Sequence, residues 1–105
     1  MVPGESTVEQ AVANNLHISY DLHAPGQNYD RLIAKIKTLG AMWAKIHYSF
    51  WYVNSPYTAE QAVAVLKTVL DPNDKVYVVD ATNNAAAWNQ IAPDVGNLIK
   101  EQWLK

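Results

Sequence analysis

Between Leu16 and Ile36 the hydrophobic period changes from two to 3.6, and little else in the chain restricts its fold so tightly. Leu16, Ile18, Tyr20 and Leu22 alternate with His17, Ser19 and Asp21, the pattern of a strand with one apolar face. After Pro25-Gly26 the apolar positions become Tyr29, Leu32, Ile33 and Ile36, the i, i+3, i+4, i+7 spacing of an amphipathic helix. Asn28 is a candidate N-cap for that helix, and Gly40 is expected to stop it after Leu39. Asp21 thus stands at the end of a strand, on its less apolar face, beside a loop.

The same reading extends to the rest of the chain. Residues 1–15 carry Pro3-Gly4 and the capping-box pattern Ser6-Thr7-Val8-Glu9, which predicts a short helix in a loosely attached N-terminal arm. The run Met42 to Val53 is rich in aromatic and β-branched residues and too long for one average strand, so it predicts a hairpin turning near His47 to Ser49. Thr58-Ala59-Glu60-Gln61 is a second capping box, opening a helix with Ala62, Val65, Leu66 and Val69 inward. Asp71-Pro72-Asn73-Asp74 is a turn, and Lys75 to Asp80 a largely buried strand. Two further helices are expected, Ala85 to Ile91 ending at Pro93 with Trp88 inward, and one from Asp94 carrying Val95, Leu98, Ile99 and Trp103.

At 105 residues one domain is expected, residues 16–105 behind the arm, and the half of the chain that is hydrophobic suffices for one core. The absence of Cys excludes a disulfide framework, a thiolate nucleophile and a Cys-based zinc site, and it suits the cytoplasm. Apolar runs such as Val63 to Leu66 are too short to span a bilayer, and a secretion signal is not expected. Eight basic residues against ten acidic ones, with Arg31 the sole arginine, argue against strong nonspecific binding to duplex DNA. Lys35, Lys37, Lys45 and Lys75 are the residues from which a local basic patch could be built.

Strand, helix, strand, strand, helix, strand is the ferredoxin-like βαββαβ order, an α+β fold with a four-stranded antiparallel sheet, here with C-terminal helices added. Its first and third strands are central neighbours. Asp21 should then lie beside Ser49 and Lys75, with Asp80 at the opposite end, on the order of 15 Å or more away. Both helices of the repeat cover one face. Trp43, Trp51 and several Tyr exceed what that face needs, so some are expected on the open face, where a symmetric dimer is the plainest cover.

Ile18-Ser19-Tyr20-Asp21-Leu22, Gly40 and Ile46-His47-Tyr48-Ser49-Phe50-Trp51 resemble the CRISPR adaptation nuclease-like family, the second of the CRISPR-associated proteins, and its stand-alone SinR-like relatives. The similarity runs from about Leu16 to Leu104. It implies a ferredoxin-like homodimer in which Asp21 is a ligand for Mg or Mn in nucleic-acid hydrolysis, Ser49 matches a serine of the third strand, and Arg31 a basic residue early in the first helix. Two features depart from the family: the longer loop holding Pro25-Gly26-Gln27-Asn28, and a helical C-terminus in place of an exchanged strand.

Residue chemistry leaves three functions open. One carboxylate per chain is sparse for magnesium, so Asp21 reads first as an Asx-type loop anchor, and the protein as a dimer that binds nucleic acid or a protein without efficient catalysis. Metal-dependent endonuclease activity through Asp21 is the alternative. A small-ligand or nucleotide site is the third, with His23, Gln27 and Asn28 at a helix N-terminus and His47 and Lys75 nearby. His17, His23 and His47 lack HExxH-type spacing, and the aromatic residues could stack on bases or pack in an interface.

Overall fold

The computed structural model describes residues 14–23 and 29–103. Residues 1–13 of the predicted arm, its helix, and residues Gln27 and Asn28 of the candidate loop lie outside them, while Asn14 and Asn15, expected in the arm, belong to β1. The elements run β1 (Asn14–Asp21), α1 (Tyr29–Lys37), β2 (Met42–His47), β3 (Phe50–Ser55), α2 (Ala59–Lys67), β4 (Lys75–Asp80) and α3 (Pro93–Trp103). The sheet order β2-β3-β1-β4, antiparallel at each of its three junctions, is the ferredoxin-like one with β1 and β3 in the centre.

Helices α1 and α2 cover one face. Leu16, Ile18, Tyr20, Trp51 and Val53 from the sheet meet Leu32 and Ile36 of α1, Leu39 just beyond it, and Ala62 and Leu66 of α2. Each such fully buried aliphatic side chain is worth about 1.5–3 kcal/mol. Thr58 and Gln61 form the expected reciprocal capping box, with Gln61 N donating to Thr58 Oγ1 at 3.1 Å and Thr58 N to Gln61 Oε1 at 2.9 Å. Helix α1 ends at Lys37, two residues earlier than Gly40 implied, because Thr38 and Leu39 tighten into bonds to Lys35 O and Ile36 O. Gly40 has another task. A Cβ there would stand 1.9 Å from Asn54 O, so only glycine lets the α1–β2 connection pass this close to β3.

Strand β1 begins two residues before its apolar alternation, at Asn14 and Asn15, whose side chains fasten it. Asn14 Nδ2 donates to Tyr57 O at 2.8 Å, and Asn15 Oδ1 accepts from the buried Tyr52 hydroxyl at 2.7 Å. The hairpin turns at Tyr48-Ser49 as expected, with Ser49 at φ 62° in place of a glycine. That puts Ser49 in the turn, one residue short of the strand to which the resemblance assigned it.

The second face departs from expectation. It is not left to a partner, because α3 folds back over its β2–β3 half, burying Tyr52, Ala44 and Ile99. Trp103 sits 5.5 Å from the His17 ring and 6.0 Å from that of Tyr52. Nor do Trp43 and Trp51 lie there: both project to the helical face, 5.8 Å apart, with Lys37 Nζ 4.4 Å from the Trp43 ring. The helix expected over Ala85 to Ile91 does not form. Asn83 and Gln90 take left-handed φ of 69° and 64° at either end of an irregular segment, and seven residues are too few to hold a helix unaided. Trp88 packs on α3 at Gly96, where a Cβ would lie 3.1 Å from Trp88 Nε1, while Trp103 Nε1 donates to Asn84 O at 2.9 Å. Pro93 opens α3 instead of ending a helix, since its missing N–H is one the first turn cannot use. No helix among the described residues is long and apolar enough to cross a membrane.

Candidate functional site

The ladder of β1 fixes which candidate residues meet. Asp21 pairs with Lys75 of β4, and one residue back Tyr20 N donates to Ser49 O at 3.3 Å, so the end of β1, the hairpin turn and the start of β4 converge. Ser19, Tyr20, Asp21, Lys75, Val76 and Tyr77 line a shallow depression of about 240 Å³ there. Asp80 pairs with Leu16 at the other end of β1, so the two acids are apart as expected. His47 pairs with Phe50, which pairs with Ser19, placing His47 two strands from Asp21's own. Arg31 is exposed on α1, which packs on the opposite face of the sheet.

The loop-anchoring carboxylate belongs to Asp74, a residue that the sequence reading assigned only to a turn. Asp74 Oδ1 accepts from His23 N and Oδ2 from Asp71 N, both at 2.8 Å, closing the β4 entry turn onto the end of β1. Those two backbone N–H groups, His23 first, hold its carboxyl below the usual carboxylate range. Asp21 is exposed and accepts no hydrogen bond from a described residue, while residues 24–28, most of the loop that its reading as an Asx anchor concerns, lie outside the described residues. The signal for Asp74 is readable: a carboxylate immediately before a strand, closing an Asp-Pro-Asn-Asp turn, is a usual place for side chain to backbone bonds.

Metal chemistry finds a thin donor set. Among the described residues no three His, Asp or Glu side chains converge, and Asp21 faces a lysine across the ladder. A single carboxylate with only Ser49 at the adjoining turn fits a divalent ion poorly, since such an ion takes one or two carboxylates with phosphate and water and is repelled by an adjacent ammonium.

What the sheet does present is an aromatic row. Opposed residues of antiparallel strands share a face, so His47, Phe50, Ser19 and Tyr77 stand in line across β2, β3, β1 and β4 on the side away from α1 and α2. His47 stacks on Phe50 with centroids 5.1 Å apart and planes 23° from parallel, and His17 meets the Phe50 ring edge-on at 5.6 Å. Tyr77 is 70% exposed and Tyr48, at the turn, 75%. Lys45 Nζ lies 5.5 Å from the Tyr48 ring. Beneath Trp103, burial lowers the His17 pKa, so the ring is neutral where it supports Phe50. This row is the part of the second face that α3 leaves uncovered, and only the parity of β1 and β3 announces it in the sequence.

A second hollow, about 270 Å³, lies between the 85–92 segment and α3, lined by Ala86, Trp88, Ile99, Lys100 and Trp103. Its lining includes residues expected to pack, Trp88, Ile99 and Trp103, but none of the candidate site residues named from the sequence. No family model, no curated protein and no solved structure matches the chain.

Proposed function

We propose that this domain is a non-catalytic homodimer that binds single-stranded nucleic acid in the cytoplasm, through the aromatic row that crosses its sheet beside α3. The observation that carries this is the line His47, Phe50, Ser19, Tyr77, spanning all four strands with its two exposed ends at Tyr77 and the Tyr48 turn. Bases stack on such flat, half-exposed rings in single strands, whereas a duplex keeps its own bases stacked and hidden. Lys75, which shares the row's face, stands at its margin for phosphate contact, and a net charge of −2 suits a site whose affinity comes from stacking more than from counterion release. The resemblance to the CRISPR adaptation nuclease-like family points to the same partner class.

Hydrolysis assigned to Asp21, Ser49 and Arg31 with Mg or Mn is disfavoured by the isolated carboxylate beside Lys75. Fluorescence anisotropy with labelled single-stranded RNA and DNA and with a duplex, in EDTA, tests the reading. Single strands bind without metal, duplex binds weakly, and Phe50→Ala raises Kd by about 5- to 150-fold, the loss of one base stack at roughly 1–3 kcal/mol. Asp21→Asn leaves binding intact. Equal affinity for duplex, or indifference to Phe50→Ala, contradicts the assignment. Metal-dependent cleavage abolished by Asp21→Asn would establish the nuclease instead.

A further inference from the structure

We propose that two copies of this chain join edge to edge through β4, antiparallel about a two-fold axis at Val78, to give a continuous eight-stranded sheet. The inference rests on the dimeric reading above and specifies its interface.

Among the described residues strand β4 is one edge of the sheet and β2 the other. The two edges differ. In β2 the register shifts between Lys45 and His47, a bulge of the kind that blunts an edge, and α3 packs against the strand. In β4 six consecutive residues keep unbroken register with β1, from Lys75 opposite Asp21 to Asp80 opposite Leu16, with no proline and no bulge.

The ladder also tells which backbone groups of β4 face outward. Ala81 N donates to Asn15 O at 2.8 Å, while Tyr20 N donates to Ser49 O. Residues along an antiparallel strand alternate in the side to which they direct their N–H and C=O groups. Odd-numbered residues of β1 therefore bond to β4, which engages Lys75, Tyr77 and Val79 inside the sheet and leaves Val76, Val78 and Asp80 directed to the open edge. A regular row of outward N–H and C=O groups is a ready template for another strand, so an edge of this kind favours a strand that can meet it.

A second β4 meets it in register. Directly opposed residues must point to the same face, so a two-fold can pass only through a residue. Centred on Val78, Val78 pairs with its own copy, and Val76 pairs with Asp80 in both directions, which satisfies all three outward residues of each strand. A centre at Tyr77 would join only Val76 with Val78. On the exposed face the Val78 register sets Tyr77 opposite Val79 of the second copy, twice. These are the exposed apolar side chains of β4, 70% and 39% accessible, and aromatic with β-branched is a favourable cross-strand pair. Lys75 falls opposite Ala81, so no like charges confront each other, and Asp80 keeps its carboxylate on Thr82.

Such a dimer places the two aromatic rows side by side on one sheet surface. It also separates the two Asp21 residues, by three strand spacings laterally and six residues lengthwise, to roughly 25 Å. A metal ion shared between them is incompatible with this assembly.

Sedimentation velocity of the full chain at micromolar concentration, without nucleic acid, tests the interface. The wild type is expected to sediment as a dimer. Val79→Lys and Tyr77→Lys, each placing a charge in the paired surface at an already exposed position, are expected to give folded monomers by circular dichroism, whereas Tyr48→Lys, an equally exposed aromatic outside the paired strand, remains dimeric. A monomeric wild type, or a dimer untouched by both β4 variants, overturns the proposal. Anisotropy on the same samples keeps the two readings apart: a wild-type monomer that still binds single strands sinks this interface and leaves the aromatic row standing, while a β4 dimer that binds none sinks only the row.

Discussion

His17 sits where the two layers of the second face meet, against Phe50 on one side and Trp103 on the other. Burial lowers its pKa from the ordinary 6.5, so the unfolded chain binds a proton more readily than the folded one. The stability this confers is complete above the unfolded value and is lost as pH falls below about 6.5, through the lowered folded value. Thermal melts between about pH 7.5 and about 5 should show a declining Tm that His17→Gln flattens; an unchanged slope in that variant would place the titration elsewhere. The residue was visible in the sequence only as a lone histidine opposite the apolar face of a strand. What buries it, Trp103, lies 86 positions along the chain, a distance that no local pattern spans.

Elements whose signals are local were legible in advance. The alternation of Leu16, Ile18 and Tyr20, the helical spacing of Leu32 and Ile36, and the Thr58–Gln61 capping box each declare an element by chemistry within a few residues. The ferredoxin-like arrangement follows from their order. The segment from Ala85 to Ile91 departs from its expected helix for the converse reason. Its alanines favour a helix, but Trp88 at Gly96 and the left-handed Gln90 decide its path, and these are tertiary. Gly40 is the clearest case of an element boundary set by a distant contact. Gly40→Ala drives a methyl into Asn54 O, and urea denaturation should report a loss of about 1–3 kcal/mol, the usual cost of overpacking. A neutral outcome would mean the α1–β2 connection can withdraw from β3 freely.

At the scale of the whole molecule, one sheet carries two different faces. The first is closed by α1 and α2 over a continuous apolar core. The second is closed on its β2–β3 half by α3 and left open across Phe50, Ser19 and Tyr77. Sequence order foretold an open face but not its division, because the docking of α3 depends on Ile99 and Trp103 finding Tyr52 and His17. The candidate site shifts accordingly, from an acid at the end of β1 to the aromatic row beside it. Titrating an unlabelled single-stranded oligonucleotide into ¹⁵N-labelled protein and following the amide spectrum tests that shift most directly. The account predicts perturbations concentrated at Ser19, His47, Phe50 and Tyr77, with the amides of α1 and α2 unmoved. Perturbations confined to the α1–α2 surface, or none at saturating oligonucleotide, would contradict it.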